Sequence, residues 1–422
     1  MTITDYEVVV VGAGAAGIAA TQAIKTAGHS VICIEAADRI GGRTHTDSEI
    51  FGVPFDMGAH WMHTEHVNAL KAPGLALGLD LYPAPDNGVT HELEDDDVLW
   101  DEVAEIYKAI KKAAREDAET EAKTGVPTDR SLADIFEDKT PWSLTAVMMM
   151  ALSIARDLPD TSLRDMLAWE SGGDWFCREG FGHLIARTAE GLPIKLSTPV
   201  TDVEALADSV RITTTDGITT ARAVIVTASV GVLAEDVIRF DPPLEADRRG
   251  ALDLITMSDY NHAAMLFRPG AIPVEADTWL TYRLHANDAG IAQGGGFLCN
   301  ICGTGLTSFE NSGSFSRALQ AAGPDVAIDH ALETLVGIFG SGIKRDFIKG
   351  HATAWRNEPY VRGSYAGALP GGYNRRDILR RAHAERVHFA GEATHADGQQ
   401  ASVSGAHLDG LRAAKDAMAQ LG

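Results

Sequence analysis

Residues 7–35, EVVVVGAGAAGIAATQAIKTAGHSVICIE, decide the fold of this chain. Four consecutive valines, Val8 to Val11, predict a strand that is buried on both faces of a parallel sheet, because such strands form unbroken apolar runs. A glycine-rich turn follows, and Ile18 to Ala27 then predicts a helix. A second apolar strand, Ser30 to Ile34, leads directly to Glu35.

The glycine spacing in this stretch predicts a dinucleotide site. Gly12 permits the tight turn, Gly14 lets backbone N–H groups approach a pyrophosphate, and Gly17 lets the helix pack closely on the strand. The helix N-terminus presents its dipole and free amides to the anion, and Glu35 is placed to accept hydrogen bonds from a ribose. A lone GxGxxG is a weak signal, but here strand, helix, second strand and acid all stand at the required spacing.

The run that follows distinguishes between dinucleotides. It places two cations and two glycines after the ribose acid, as Asp38-Arg39-Ile40-Gly41-Gly42-Arg43. Arg43 can bridge phosphate oxygens with its fork of donors. An ordinary surface turn is the alternative explanation. The run resembles the second cofactor motif of the flavin amine oxidases, a family whose members hold FAD rather than NAD.

Length and charge limit the function classes. At 422 residues the chain exceeds one ordinary core, so two domains are expected. The formal charge of 36 − 59 = −23 argues against nucleic acid and anionic membrane surfaces as partners, and it favours cationic small molecules such as amines. No stretch reaches the roughly 18–20 apolar residues that span a bilayer. The first strand begins too early to leave room for a signal peptide, so we expect a cytoplasmic protein.

The cysteines are expected to be structural thiols, because four of them are too few for a disulfide framework. They are Cys33, Cys177, Cys299 and Cys302. The last two form a CxxC, but no second pair or histidine cluster completes a zinc site, and no metal is expected.

Strands typical of the nucleotide-binding core recur near the start, middle and end of the chain. Ala223 to Ala228 predicts another buried parallel strand, and His388 to Glu392 predicts a final one. The fold class predicted is therefore α/β, with a Rossmann-like FAD-binding domain built from discontinuous segments and an α+β substrate-binding domain. We place the first domain at residues 1–75, 190–250 and 385–422, and the second at 76–189 and 251–384.

Motifs along nearly the whole chain resemble those of the flavin amine oxidases, and in particular the polyamine oxidase branch. GAHWMH at 58–63 is similar to the segment beneath the flavin, and AVIVTASVGVL at 223–233 to the middle signature. WRNEPYVRGSYAGALPGG at 355–372 is similar to the segment near the substrate, and FAGEATHADGQQASVSGAHLDG at 389–410 to the closing element. With the N-terminal motif, they stand in the order of the family.

The resemblance implies a set of FAD-binding residues. Those expected on the adenosine and pyrophosphate are Gly12, Gly14, Ala15, Ala16, Gly17, Glu35, Ala36, Gly41, Gly42, Arg43 and, near the adenine, Val203. Those expected beside the isoalloxazine or at the ribityl–pyrophosphate end are Gly58, Ala59, His60, Trp61, Gly391, Glu392, Ser402 and Val403. Glu392 would accept sugar hydroxyls or act through water, the alternative being that it caps the last helix. No cysteine stands in the GSYAG segment, where some members attach the flavin, so non-covalent FAD is expected.

The reaction implied by the resemblance is hydride transfer from the carbon next to an amine nitrogen to flavin N5. It gives an imine that water hydrolyses. Trp355 and Tyr365 are the aromatic residues expected to attract the incoming ammonium and then to pack on the neutral amine. The alternative is that both are ordinary core aromatics.

Three further positions bear on catalysis. His262 stands where the family usually places a lysine bound through water to flavin N5, and it is a weaker, pH-dependent cation. Ser402 stands where an aromatic residue often precedes the valine, so one side of the pocket is expected to be open. His63 stands at a substrate-contact position, where it either senses a distal amine or is a hydrogen-bonded histidine at a domain seam.

The sequence thus predicts FAD-dependent oxidation of a polyamine or a related primary or secondary amine, giving an imine, then an aldehyde plus hydrogen peroxide. The expected partners are the small-molecule amine and molecular oxygen, without nucleic acid or membrane, and a homodimer is left open. One alternative, suggested by His262, is a flavin dehydrogenase or desaturase of the same fold with a non-oxygen acceptor or a non-amine substrate. Another is a flavin-holding scaffold without turnover, which the lack of a tower-like insertion disfavours.

Overall fold

The larger sheet of the protein is mostly parallel and carries the predicted nucleotide-binding unit. A computed structural model describes residues 4–93, 96–286 and 292–421. Within these residues the sheet has eight strands, which are Tyr6–Val11, Val31–Ile34, Ile194–Lys195, Val200–Ala205, Val210–Thr214, Gly217–Val226, Arg239–Asp241 and Val387–Phe389. They come from near the start, the middle and the end of the chain, and the predicted α/β fold is confirmed.

The predicted valine strand, Tyr6–Val11, lies at the centre of this sheet. It pairs in parallel with Val31–Ile34 on one side and with Gly217–Val226 on the other. Val8, Val9 and Val10 are 0% exposed, as expected for a strand that is covered on both faces. The carboxyl ends of these strands meet at one edge, which is where ligands bind in such sheets.

Helices and small residues close both faces of the sheet. On one face, Ala15–Thr26 packs along Val403–Ala419, and their alanines form a core cluster with Val8 and Val10. The other face carries a larger apolar cluster that includes residues of the helices Val230–Ala234 and Ala246–Leu252. The sheet is therefore packed against helices on both of its faces.

A second sheet has six strands within the described residues and is antiparallel apart from one edge pairing. Its strands are Val89–Thr90, Tyr260–Phe267, Thr278–Thr281, Gly295–Ile301, Leu306–Ser312 and Phe347–Ala352. In its centre, Tyr260–Phe267 pairs with Leu306–Ser312, and this register sets His262 directly opposite Glu310.

The remaining elements are helices and short strand pairs. The other α-helices are Lys71–Ala76, Asp97–Thr124, Ser143–Ile154, Leu163–Leu167, Phe181–Thr188, Gly313–Ala322, Pro324–Phe339 and Arg376–Leu379. The 3₁₀ helices are Leu132–Asp134, Leu158–Asp160, Ser341–Arg345 and Trp355–Asn357. The strand pairs join Thr46–Asp47 to Phe55–Asp56, Leu81–Pro83 to Trp175–Cys177, Ile255–Met257 to Ala366–Ala368, and His285–Ala286 to Ala292–Gln293.

All four cysteines are free thiols. Among the helices that the structure describes, none is both long and apolar enough to cross a membrane. The described residues also contain no cluster of histidine, cysteine or acidic side chains that could hold a metal ion.

Candidate active site

A cavity of about 780 Å³ extends from the edge of the larger sheet to the second sheet. This volume lies within the range of about 300–1,000 Å³ that is usual for cofactor and small-molecule sites. Most of the predicted site residues line it: Gly12, Gly14, Ala15, Ala16, Glu35, Ala36, Gly41, Gly42, Arg43, Gly58, Ala59, His60, Trp61, His63, His262, Trp355, Tyr365, Gly391, Glu392, Ser402 and Val403. The fold thus gathers residues from the whole length of the chain around one space.

One end of the cavity is built by the glycine-rich turn and the first helix. A Cβ on Gly14 would meet only the Gly41 carbonyl oxygen, at 3.9 Å, so the backbone here is open to a ligand. The helix Ala15–Thr26 has no side-chain cap at its N-terminus. Its first N–H groups are therefore free for an anionic group such as a pyrophosphate.

Glu35 is fixed at this end by the backbone. The N–H of Ala13 donates to Glu35 Oε2 at 2.6 Å, and the N–H of Ala37 donates to Oε1 at 2.8 Å. The residue is only 8% exposed. Each carboxylate oxygen keeps a second lone pair, so the immobilised group can still accept hydrogen bonds from ribose hydroxyls.

Glu392 is paired with Arg43, which explains how an acid can stand beside a phosphate-binding turn. Arg43 Nη1 donates to Glu392 Oε1 at 2.6 Å, and the N–H of Ala366 donates to the same carboxylate at 3.2 Å. The last helix is instead capped by Ser402, whose Oγ accepts from the N–H of Gly405 at 2.9 Å. The alternative reading of Glu392 as that cap is therefore wrong.

The segment that begins at Gly58 is pressed between two other parts of the site. A Cβ on Gly58 would lie 2.0 Å from the Arg43 carbonyl oxygen and 2.9 Å from the Trp355 ring, so only glycine fits. Trp355 Nε1 donates to the Met57 carbonyl at 3.0 Å. This hydrogen bond fixes the indole against the cavity.

The second sheet contributes a buried polar cluster to the cavity wall. Glu310 is 2% exposed and accepts a hydrogen bond from the Tyr260 hydroxyl, while the Tyr365 hydroxyl donates to the Leu152 carbonyl at 2.7 Å. Burial raises the pKa of the Tyr260 and Tyr365 hydroxyls above the ordinary value, so both remain donors. Burial also lowers the pKa of His262, and the charge of Glu310 only partly offsets this effect, so the imidazole is neutral at neutral pH.

An aromatic wall extends from this cluster. Gly296 pairs with Glu310 on the adjacent strand, and the Trp279 ring takes up the space that a side chain on Gly296 would need. Trp279 in turn meets Trp61 edge to face, with ring centroids 6.0 Å apart. The buried carboxylate is thus bordered by indole surface.

The mouth of the cavity is acidic. The Trp61 ring lies parallel to that of His63, with centroids 6.3 Å apart, and His63 Nδ1 lies 3.0 Å from Asp174 Oδ1. The side chains of His63 and Glu170 are about half exposed, at 55% and 51%, and that of Asp174 is 29% exposed. His63 is therefore hydrogen-bonded and also lines the cavity, and its contact with substrate stays a prediction.

Comparison with known proteins identifies the family. The model of the family described as flavin containing amine oxidoreductase matches residues 15–418 of the chain. This chain belongs to that family. Its members are oxidoreductases, and FAD is the cofactor expected in the cavity.

Several relatives of this flavin amine oxidase match over most of its length. Polyamine oxidase 4 of Oryza sativa subsp. japonica is 27% identical, over 97% of this chain and 88% of its own. Lysine-specific histone demethylase 1 homolog 2 of Arabidopsis thaliana is 28% identical over 97% of this chain, but over only 58% of its own. Among solved structures, cyclohexylamine oxidase from Brevibacterium oxydans IH-35A has a TM-score of 0.77 at 20% identity, with 99% of each chain covered. A putrescine oxidase variant has a TM-score of 0.78 at 19% identity, covering 98% of this chain and 99% of its own.

The residues of the flavin amine oxidase cavity fit FAD. The open backbone at Gly14 suits the pyrophosphate, and Glu35 suits the ribose. Ser364 Oγ and Gln400 Oε1 also line the cavity, and both atoms are buried without a hydrogen-bond partner among the described residues. Unpaired buried polar atoms cost free energy, so these positions are suited to a polar ligand.

Two predicted cofactor residues of the flavin amine oxidase do not line the cavity. Gly17 lies behind the turn, where a Cβ would be 1.8 Å from the Gly12 carbonyl oxygen, so it serves the close packing of helix on strand. Val203 is 1% exposed and belongs to the apolar core together with Ile212, its partner on the next strand. Val200, three residues earlier on the strand, lines the cavity instead, and the position of Val203 near the adenine stays a prediction.

Residues of the cavity wall that sequence reasoning missed include Glu310, Tyr260, Trp279 and Asp174. The available signal for Glu310 was an acid within the run Leu306–Ser312, which lies between Gly305 and Gly313. Its place beside His262 depends on the pairing of strands that are distant in the sequence. A pattern within one strand does not reveal such a pairing.

Proposed function

We propose that this flavin amine oxidase acts on a polyamine or a related primary or secondary amine, with molecular oxygen as the acceptor. The products proposed are an imine, then an aldehyde formed with water, and hydrogen peroxide. The observation that carries the proposal is the Glu310 carboxylate, which is 2% exposed on the wall of an aromatic cavity. Among the described residues this carboxylate forms no ion pair, and a buried acid of this kind is suited to an ammonium group of the substrate.

Recognition of a chain-like cation follows from the order of groups along the cavity. Asp174 and Glu170 stand at the mouth, the rings of Trp61 and Trp279 follow, and Glu310 lies beyond them. Indole faces attract ammonium groups, by about 2 kcal/mol or more where water is excluded. An amine with a second charged nitrogen can therefore hold one ammonium at Glu310 while the rest of its chain lies on the aromatic wall.

The chemistry needs an uncharged nitrogen at the reacting carbon. Bound FAD supplies the acceptor for the hydride. His262 is neutral and its Nδ1 is buried without a partner among the described residues, so it can accept a hydrogen bond from the amine or from water. Trp355 and Tyr365, held through Met57 and Leu152, give the reacting amine fixed apolar walls.

Glu310→Gln tests the recognition of a second ammonium. For putrescine we expect kcat/KM to fall by about tenfold or more, because a charge-assisted hydrogen bond contributes about 1.5–3 kcal/mol. For butylamine, which lacks the second nitrogen, we expect a change of less than about threefold, below 1 kcal/mol. Peroxide release with each amine is the measurement.

Glu170→Gln is the matched control, since this acid also lines the cavity but is half exposed. We expect only a small effect on either amine, because an exposed charge contributes little. Equal losses with putrescine and butylamine in the Glu310 variant would contradict a role for Glu310 in holding a second ammonium.

A further inference from the structure

Two histidines of the cavity wall differ in their side-chain contacts, because only one of them lies against a carboxylate. His60 and His262 are 7% and 6% exposed, and both line the cavity. His60 Nε2 and His262 Nδ1 are buried without hydrogen-bond partners among the described residues. We propose that the Asp56–His60 pair supplies the fixed positive charge and N–H donor beside the flavin, a role that the sequence assigns to His262.

Asp56 fixes the His60 ring from behind. His60 Nδ1 lies 2.8 Å from Asp56 Oδ2, and the Asp56 side chain is 3% exposed. This geometry makes Nδ1 the donor to the carboxylate. When the ring is charged, the second N–H, on Nε2, is the one without a partner among the residues that the structure describes.

The carboxylate of Asp56 is itself held as an anion. It accepts from the Thr46 hydroxyl at 2.5 Å and from the N–H groups of Phe181 and Gly182 at 3.1 and 3.2 Å. Those two N–H groups begin the helix Phe181–Thr188, where an anion is also favoured by the helix dipole. Since three donors and a helix N-terminus stabilise this charge, Asp56 stays ionised and holds a proton on His60.

The acidic side chains around His60 also favour its protonated form. Burial by itself would lower the pKa of His60, but the hydrogen bond and charge of Asp56 outweigh it, with Glu310 and Asp277 adding to the effect, so the pKa is raised. Facing it, His262 is a neutral imidazole. The charged form of His60 is therefore favoured over that of an ordinary histidine, and the charge is lost as the pH rises through the raised value.

A cation on this wall has a defined consequence for the cofactor. Were FAD bound here, a hydride would bring it two electrons and one proton and would so add one negative charge beside this wall. A positive charge in a water-excluded wall stabilises that negative charge. His60 should therefore favour flavin reduction, and this inference rests on the FAD cofactor and not on which amine is oxidised.

Reductive titration of the holoenzyme against a reference dye measures this effect without turnover. For His60→Gln we expect the equilibrium constant for flavin reduction to fall at least tenfold, which is about 30 mV for a two-electron couple. For the matched variant His262→Gln we expect less than a threefold change. An unchanged constant in His60→Gln, or a larger loss in His262→Gln, would overturn the proposal.

A second measurement reads the charge directly in the wild-type protein. The imidazole ¹⁵N resonances of the wild-type holoenzyme, with His60 assigned by its absence in His60→Gln, report the protonation of each ring. We expect a protonated His60 and a neutral His262 at neutral pH, and a neutral His60 in Asp56→Asn. A neutral His60 in the wild type would end the proposal, whatever the redox result.

Discussion

At the scale of single residues, Glu35 is prepared for its ligand by the backbone. Its two carboxylate oxygens accept N–H groups from Ala13 and Ala37, one from the turn before the helix and one from the loop after the second strand. The side chain therefore needs little further ordering when a ribose binds, and preorganisation of this kind reduces the free-energy cost of binding.

We expect Glu35→Ala to lose FAD. The change leaves two N–H groups without their acceptor, at about 1–3 kcal/mol for each buried donor, and removes the acceptor for the ribose hydroxyls. The flavin-to-protein ratio after desalting is the measurement, and we expect it to fall below about half of the wild-type value. Glu49→Ala, at an exposed turn position, is the control that should keep its flavin. Full retention of FAD by Glu35→Ala would contradict the assignment of the ribose site.

Residues whose role follows from local spacing could be predicted, and those whose role follows from distant pairing could not. Glu35 stands at a fixed distance from the glycine turn, so the sequence alone predicts its position in the site. Glu310 gains its importance from His262, which lies opposite it through the pairing of distant strands. Asp56 stands only four residues before His60, but the N–H groups that hold its charge come from Phe181 and Gly182, far along the chain. The sequence pattern likewise does not distinguish Val203 from Val200, which lines the cavity, because strand alternation does not say which residue meets a cavity.

At the scale of elements, the nucleotide-binding end of the cavity depends on a very close contact between the first helix and the turn that precedes it. Gly17 lies in the first turn of Ala15–Thr26, and the Gly12 carbonyl occupies the position where its Cβ would be. Any side chain there must push the helix away from the turn. The helix N-terminus would then no longer be aimed at the cavity.

We therefore expect Gly17→Ala to destabilise the protein by about 1–3 kcal/mol, the usual range for overpacking, and to weaken FAD binding. Thermal unfolding and the flavin-to-protein ratio measure the two effects. Gly250→Ala is the matched control, because Gly250 lies in the helix Ala246–Leu252 with no atom within 4 Å of its Cβ position. That change should be neutral or stabilising by up to about 1 kcal/mol. Similar behaviour of the two variants would show that the helix tolerates a shift at Gly17.

Long periodic elements were predicted better than short ones. The helix predicted over Ile18 to Ala27 is Ala15–Thr26, and the strand predicted over Ser30 to Ile34 is Val31–Ile34. The final strand predicted over His388 to Glu392 is the three-residue strand Val387–Phe389. A short element has too few residues to show a clear periodic pattern, so tertiary contacts decide where it forms and where it ends.

At the scale of the whole molecule, one site is assembled from segments that are far apart in the chain. The sequence predicts the Rossmann-like part because its strands carry their own pattern of buried runs and glycines. The second sheet is different, since its six strands are ordered by long-range antiparallel pairing. The net charge of −23 adds a long-range attraction for cationic substrates, but it does not choose among them.

The function that we propose for this cavity is oxidation of a charged, chain-like amine through bound FAD, with oxygen as the electron acceptor. Anaerobic titration of the holoenzyme with putrescine and spermidine, followed by admission of air, tests it most directly. We expect the visible absorbance of oxidised flavin to disappear with the amine and to return in air, with hydrogen peroxide formed in proportion to the flavin. Flavin that stays oxidised with every amine, or that is reoxidised only by an added dye without peroxide, would contradict the account.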